Sequence, residues 1–194
     1  MSLTQRKVLF VLVAAAAGFI SGLLVPLVFG VRGAILGGAL AIGALFLHPR
    51  PGDGTRPPRN LAATLGLSLA VAAAAFAAIC LWQLLVPHIL RQTDFDVTGL
   101  PPAASALTTW SYAATLLLFY RERQAGRRRA WAWFAAAPLL GTALRAWGFH
   151  ELAAVPYIFI QGALPFTALW LLAALLADPA WTRKRRSRYG LRSP

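Results

Sequence analysis

LLLFYRERQAGRRRAWAWF, residues 116–134, changes character twice: an apolar run ends at Tyr120, a basic stretch fills 121–129, and an apolar run resumes at Ala130. In a chain with 58% hydrophobic and 13% charged residues, where the apolar residues come in long runs, such a stretch reads as a loop between two membrane-spanning helices. Spanning the hydrocarbon core takes about 20 helical residues. Six segments qualify, near 8–29, 33–48, 61–86, 104–120, 130–147 and 153–177. The expected fold is an all-α integral membrane protein, a compact bundle of six transmembrane helices in one domain over residues 1–177, followed by a basic tail at 178–194.

The connections support this segmentation. Gly30, Val31, Arg32 and Gly33 are expected to turn the first two helices into a tight hairpin. HPRPGDGTRPPRN at 48–60 holds four prolines and cannot continue a helix, and Asn60 is placed to cap the third. A further loop is expected from Leu90 to Pro102. The first run follows Arg6 and Lys7 but is longer than the roughly 7 to 15 residues of a signal-peptide core, so it is expected to stay as a helix.

Charge sets the orientation. Of the 19 Lys and Arg residues, only Arg32, Arg91 and Arg145 fall on one side of the six-helix scheme. The other sixteen lie near the two termini or in the 48–60 and 121–129 loops, which puts both termini in the cytoplasm by the positive-inside rule. The expected location is a plasma membrane of the bacterial inner-membrane kind. The net charge of +13 is therefore read as topology signal and lipid contact rather than as a nucleic-acid surface. Arg127, Arg128 and Arg129, with Arg183, Lys184, Arg185 and Arg186 of the tail, would face anionic lipids of the cytoplasmic leaflet or an acidic partner subunit, at about 1 kcal/mol per basic residue near the surface.

Polar residues gather toward the outer half. Ser105, Thr108, Thr109, Ser111, Tyr112 and Thr115 come before the LLLFY that ends the fourth segment, Gln83 lies near the outer end of the third, and Tyr157 and Gln161 near the start of the sixth. Arg145 would lie about 22 Å along the fifth helix at about 1.5 Å per residue, close to the outer headgroups. There it would either snorkel, pairing with Glu151 or a lipid phosphate, or face inward. Facing inward, Arg145, Arg91 and Arg32 would supply charge, and Gln161, Gln83, Thr108, Ser111 and Tyr112 hydrogen bonds, to a small anionic or amphipathic ligand. The plainer alternative has the hydroxyls bonding their own helix carbonyls in a noncatalytic accessory or scaffold subunit of a larger complex.

Gly18 and Gly22 form a GxxxG, and Gly33, Gly37, Gly38 and Gly43 line the second helix, for packing within the first hairpin or docking onto a partner. No cofactor is expected; the less favoured alternative is a haem between His88 and His150. Cys80 is alone, Asp53 and Asp178 read as isolated loop acids, and no phosphate loop, zinc-protease signature or nucleophile elbow occurs, so nothing nominates a catalytic residue. In size and topology the chain is similar to the substrate-binding subunits of energy-coupling-factor vitamin transporters. That resemblance, of architecture only, implies a small solute held in the outer half and a separate motor subunit docked through the small-residue hairpin.

Overall fold

The computed structural model describes residues 3–23, 27–48, 60–90, 102–149 and 155–178, with side chains at all of these except 23, 27–29, 86–90, 102 and 149. Among the described residues there are six helices and no strand. They are α1 (Leu3–Leu23), α2 (Leu27–Phe46), α3 (Leu61–Leu90), α4 (Pro102–Gln124), α5 (Ala130–Phe149) and α6 (Val155–Ala177). Helices are the expected solution for such runs, since an α-helix satisfies its own backbone hydrogen bonds without water. Leu3–Gly22, Leu61–Leu85 and Val155–Ala177 are long and apolar enough to cross a membrane, which makes this a membrane protein; the apolar part of α2, Gly30–Phe46, is shorter.

The first connection differs from the sequence expectation. Gly30, Val31, Arg32 and Gly33 do not turn the chain; they are helical, inside α2. Their glycines serve contact instead. A Cβ on Gly18 would collide with the Gly33 carbonyl, one on Gly33 with the Gly18 carbonyl, and one on Gly37 with the Ala14 carbonyl. The small-residue faces of α1 and α2 thus cover each other, and this pair packs more extensively than any other. α2 begins at Leu27, directly after Pro26 in the sequence, a residue that has no N–H to continue a helix and is well suited to precede one.

Asn60 caps α3 as its position implies, its Oδ1 accepting from the Ala63 N–H at 2.7 Å. Gly126, at φ +73°, closes α4 in the left-handed conformation that costs other residues most, and the Arg127 N–H reaches back to the Glu122 carbonyl at 3.0 Å. Within α6, Ile158–Ala163 forms a π-helical turn. Pro165 has no N–H to return to the turn before it, and the Leu164 N–H reaches five residues back to the Phe159 carbonyl.

Each helix packs on the next, and α6 returns to α1. Ten successive residues of α4, Ser111 to Tyr120, are buried, so α4 has no broad lipid face over that length. This explains how a helix bearing seven hydroxyl side chains fits the bundle: Thr109, Ser111, Tyr112, Thr115 and Tyr120 are buried, and Ser105 and Thr108 half-buried. Phe10, Leu40, Leu116, Phe119 and Trp170 form the core, while Leu12, Leu69, Leu84, Leu139 and Leu176 stay exposed as a bilayer-facing surface requires.

Candidate functional site

A cavity of about 140 Å³ lies toward one end of the bundle, where all six helices contribute. Ser21 and Gly22 come from α1; Arg32, Gly33 and Leu36 from α2; Ile79 from α3; Ser105, Thr108, Thr109 and Tyr112 from α4; Gly141 and Arg145 from α5; Ile158, Gly162, Ala163 and Phe166 from α6. These positions fall in the C-terminal halves of α1, α3 and α5 and the N-terminal halves of α2, α4 and α6, as antiparallel neighbours demand. Four glycines of the lining keep side chains out of the space. Gly141 is the clearest: a Cβ there would sit 2.5 Å from Tyr112 Cζ. Tyr112 is held edge-on against Phe166, ring centroids 5.3 Å apart at 73°.

Of the residues nominated from sequence, Arg145, Arg32, Thr108 and Tyr112 meet in this lining. Arg32 joins them because it sits on α2 and not in a turn. Ser111 is buried but does not line the cavity, its hydroxyl donating to the Thr108 carbonyl at 2.8 Å. Gln83 and Gln161 are half-buried and outside the lining; Gln161 lies in the π turn. Arg91, Glu151, Arg183, Lys184, Arg185 and Arg186 lie outside the described residues, as do His150 and the side chain of His88. Ser21 and the π-turn residues Ile158, Gly162 and Ala163 were not foreseen; the only signal was the proximity of Ser21 to Gly18, and of Gly162 to Pro165, along the chain.

The lining carries two guanidinium groups and, among the described residues, no acid. Arg32 reaches the cavity from α2 and Arg145 from α5, and arginine keeps its charge there. Three of the five hydroxyl side chains in the lining bond within their own helices. Ser21 donates to the Gly18 carbonyl at 2.7 Å, Thr108 to Ala104 at 2.7 Å and Thr109 to Ser105 at 2.9 Å. Their protons are committed to their own helices.

The opposite end is built from acids. Asp178 is not an isolated loop acid: it is fully buried at the end of α6, its backbone N–H donating to the Ala174 carbonyl at 3.1 Å. Its carboxylate accepts from the Tyr120 hydroxyl and lies 3.0 Å from His48 Nε2, which is also 2.5 Å from that hydroxyl. The His48 and Tyr120 rings stack at 5.8 Å and 11°. This cluster ties the ends of α2, α4 and α6 together.

Glu122 organises the adjoining turn. Arg129 meets it with Nε at 2.6 Å and Nη2 at 3.1 Å, Arg121 with Nη1 at 2.5 Å and Arg127 with Nη1 at 3.3 Å. Burial pushes the Glu122 carboxyl up, but the hydrogen bonds from Arg129 and Arg127 and the charge of Arg121 outweigh it and hold the group below its usual range. Arg127 and Arg129, expected to face lipid, are therefore partly engaged with this acid; Arg128 is exposed, and Arg123 stands 5.6 Å from the Trp131 ring centre.

Among the described residues no three His, Cys, Asp or Glu side chains converge on one point. No protein-family model, curated protein or solved structure matches the chain, so the site is read from its own chemistry.

Proposed function

We propose that the chain is a six-span membrane protein, both termini cytoplasmic, that binds or conducts a small anionic or amphipathic ligand entering from the outer side. The observation that carries this reading is the pair Arg32 and Arg145, from helices distant in sequence, lining one cavity of about 140 Å³ together with the hydroxyl side chains of Ser21, Ser105, Thr108, Thr109 and Tyr112. An arginine that lines a cavity within a helical bundle is suited to bidentate hydrogen bonding with an anionic group. All six helices crossing the bilayer is supported by their antiparallel packing and by the enclosure of α4, whose polar residues never need to meet lipid. The orientation rests on the basic residues gathered with the ends of α2, α4 and α6. On that side Arg128 and the tail would attract anionic lipid.

Native mass spectrometry of the gently extracted protein tests this, run on the parent and on Arg145→Gln and Arg32→Gln. A nonlipid or headgroup-bearing small anion bound to the parent and lost in both variants is the expected result. A stable partner subunit with no small molecule, unchanged by either substitution, would replace this reading with the scaffold one.

A further inference from the structure

The turn between α4 and α5 carries more charge than its own acid balances. Residues 121–129 hold five arginines and one glutamate. Glu122 is buried, and its contacts, one each from Arg121 and Arg127 and two from Arg129, occupy the roughly four lone-pair positions of a carboxylate. Arg121 packs behind it with a side chain only 11% exposed, whereas Arg127 and Arg129 reach it from the surface, 47% and 61% exposed. Arg127 spends one of its five N–H groups on Glu122, and Arg129 two. Arg123 and Arg128 are exposed as well, while Gln124, the remaining polar side chain of the stretch, is half-buried with its amide nitrogen enclosed. The exposed polar side chains of the turn are therefore all guanidinium groups. Its backbone is set by the left-handed Gly126 and by the Arg127 N–H on the Glu122 carbonyl.

We infer that this turn is a binding site for the phosphate of an anionic phospholipid in the leaflet it faces, with Glu122 as the residue that positions the arginines. The inference rests on α4 and α5 crossing the bilayer with their turn at the cytoplasmic surface, and not on the cavity. A loose basic tail attracts lipid through its field alone. Here Glu122 holds Arg127 and Arg129 in one arrangement before a lipid arrives, so less side-chain freedom is lost on binding. Guanidinium groups match phosphate oxygens in pairs. Phosphatidylglycerol offers such oxygens without a cation of its own, whereas phosphatidylcholine brings its trimethylammonium against the same arginines. An acidic protein segment or a free phosphate would also meet the charge. What favours lipid is Trp131, 49% exposed with Arg123 against its ring, because an exposed indole beside arginines is suited to headgroup level.

The test titrates phosphatidylglycerol into phosphatidylcholine nanodiscs holding the full chain labelled with fluorotryptophan. The readout is the fluorine resonance of Trp131, assigned as the one lost in Trp131→Phe. It is expected to shift with phosphatidylglycerol and to level off while phosphatidylcholine is still in excess. Arg123→Gln and Arg128→Gln should each raise the midpoint about fivefold, the factor of one basic residue near the surface, whereas Arg186→Gln, the same charge removed from the tail, should move it less than about twofold. Glu122→Gln separates a built site from a general field. It adds one positive charge, so a field alone lowers the midpoint about fivefold. Ordering two released arginines costs a factor of about two to ten each, which offsets or exceeds that gain, so the midpoint should hold or rise. Arg128→Gln, outside the contacts of Glu122, keeps the test decisive where Glu122→Gln does not fold.

A lowered midpoint in Glu122→Gln, or equal effects of Arg128→Gln and Arg186→Gln, overturns the inference in favour of a diffuse basic field. The same shift produced by inorganic phosphate in pure phosphatidylcholine discs, or no response to phosphatidylglycerol, overturns it too. In a Cys80→Ser background, Ala125→Cys, exposed in the turn, should react with an impermeant maleimide only from the cytoplasmic side. Reaction from the outside overturns the orientation and leaves the lipid site standing; cytoplasmic reaction with a flat Trp131 response overturns the lipid site and leaves the orientation standing.

Discussion

Gly141→Ala adds one methyl group at the point where α5 lies against the ring of Tyr112. The new Cβ would stand 2.5 Å from Tyr112 Cζ and 2.6 Å from Cε2 and from the hydroxyl oxygen. Carbon atoms rest against one another at about 3.5 Å, so the ring or the helix must yield by about 1 Å. The ring is buried and already braced on Phe166, which leaves the cavity itself as the way out. Overpacking of this kind costs about 1–3 kcal/mol. Against it stands the greater helix propensity of alanine, about 1 kcal/mol in water and less in a bilayer, where the separated chain keeps its helices.

The expected net loss is about 1–2 kcal/mol, read from Trp fluorescence during SDS titration of mixed micelles. Gly66→Ala is the control, because nothing lies within 4 Å of a Cβ there, and it should change stability by less than about 0.5 kcal/mol. The decisive arm is Tyr112→Leu, which removes the ring. In that background Gly141→Ala should cost about nothing, giving a coupling of about 1–2 kcal/mol. An equal loss with and without the ring would refute the steric account, and with it the claim that Gly141 exists to hold Tyr112 at the cavity wall.

Three further outcomes are expected. Gly33→Val should separate α1 from α2 and cost more than Gly141→Ala, about 3 kcal/mol or above, because its obstacle is the Gly18 backbone rather than a side chain; the same SDS titration measures it. Asp178→Ala should lower stability by about 2–5 kcal/mol and Tyr120→Phe by about 1–3 kcal/mol, since the first takes the acid from both Tyr120 and His48 and the second removes a hydroxyl that contacts both Asp178 and His48. For Glu122 the folded carboxyl is depressed below its ordinary value of 4.5, so its contribution is complete above that pH and is lost as pH falls through the depressed value. The melting temperature of the parent should therefore drop more steeply below about pH 4.5 than that of Glu122→Gln; parallel curves would show that the three arginines do not depend on this acid.

The helices and the polar end of α4 could be read from the chain because both are contiguous: a long apolar run and a cluster of hydroxyls within three turns need no partner to be visible. Rotation about the helix axis could not. Gln161 has the depth of a pocket residue but sits in a π turn, where one added residue rotates the remainder of α6 by about 100° relative to an unbroken α-helix, so a period of 3.6 loses its phase there. Gly30 and Gly33 carried the opposite ambiguity. Glycine serves equally for a turn and for a close helix contact, and only the carbonyl of Gly18, on another helix, selects the second. Asp178 was misread because its neighbours in sequence are basic tail residues, whereas the Tyr120 it accepts from is 58 residues away.

Charge balance then separates the two ends of the bundle. Glu122 meets Arg121, Arg127 and Arg129, and Asp178 meets Tyr120 and His48, so each acid at that end has its donors within the protein. At the other end two arginines and five hydroxyl side chains line one cavity, and among the described residues no acid joins that lining. Polar groups inside a bundle that balance one another lock helices together; polar and charged groups gathered around a cavity are placed where a guest could meet them. It is this difference in chemistry, rather than cavity size, that makes the Arg32–Arg145 end the one to search for a ligand.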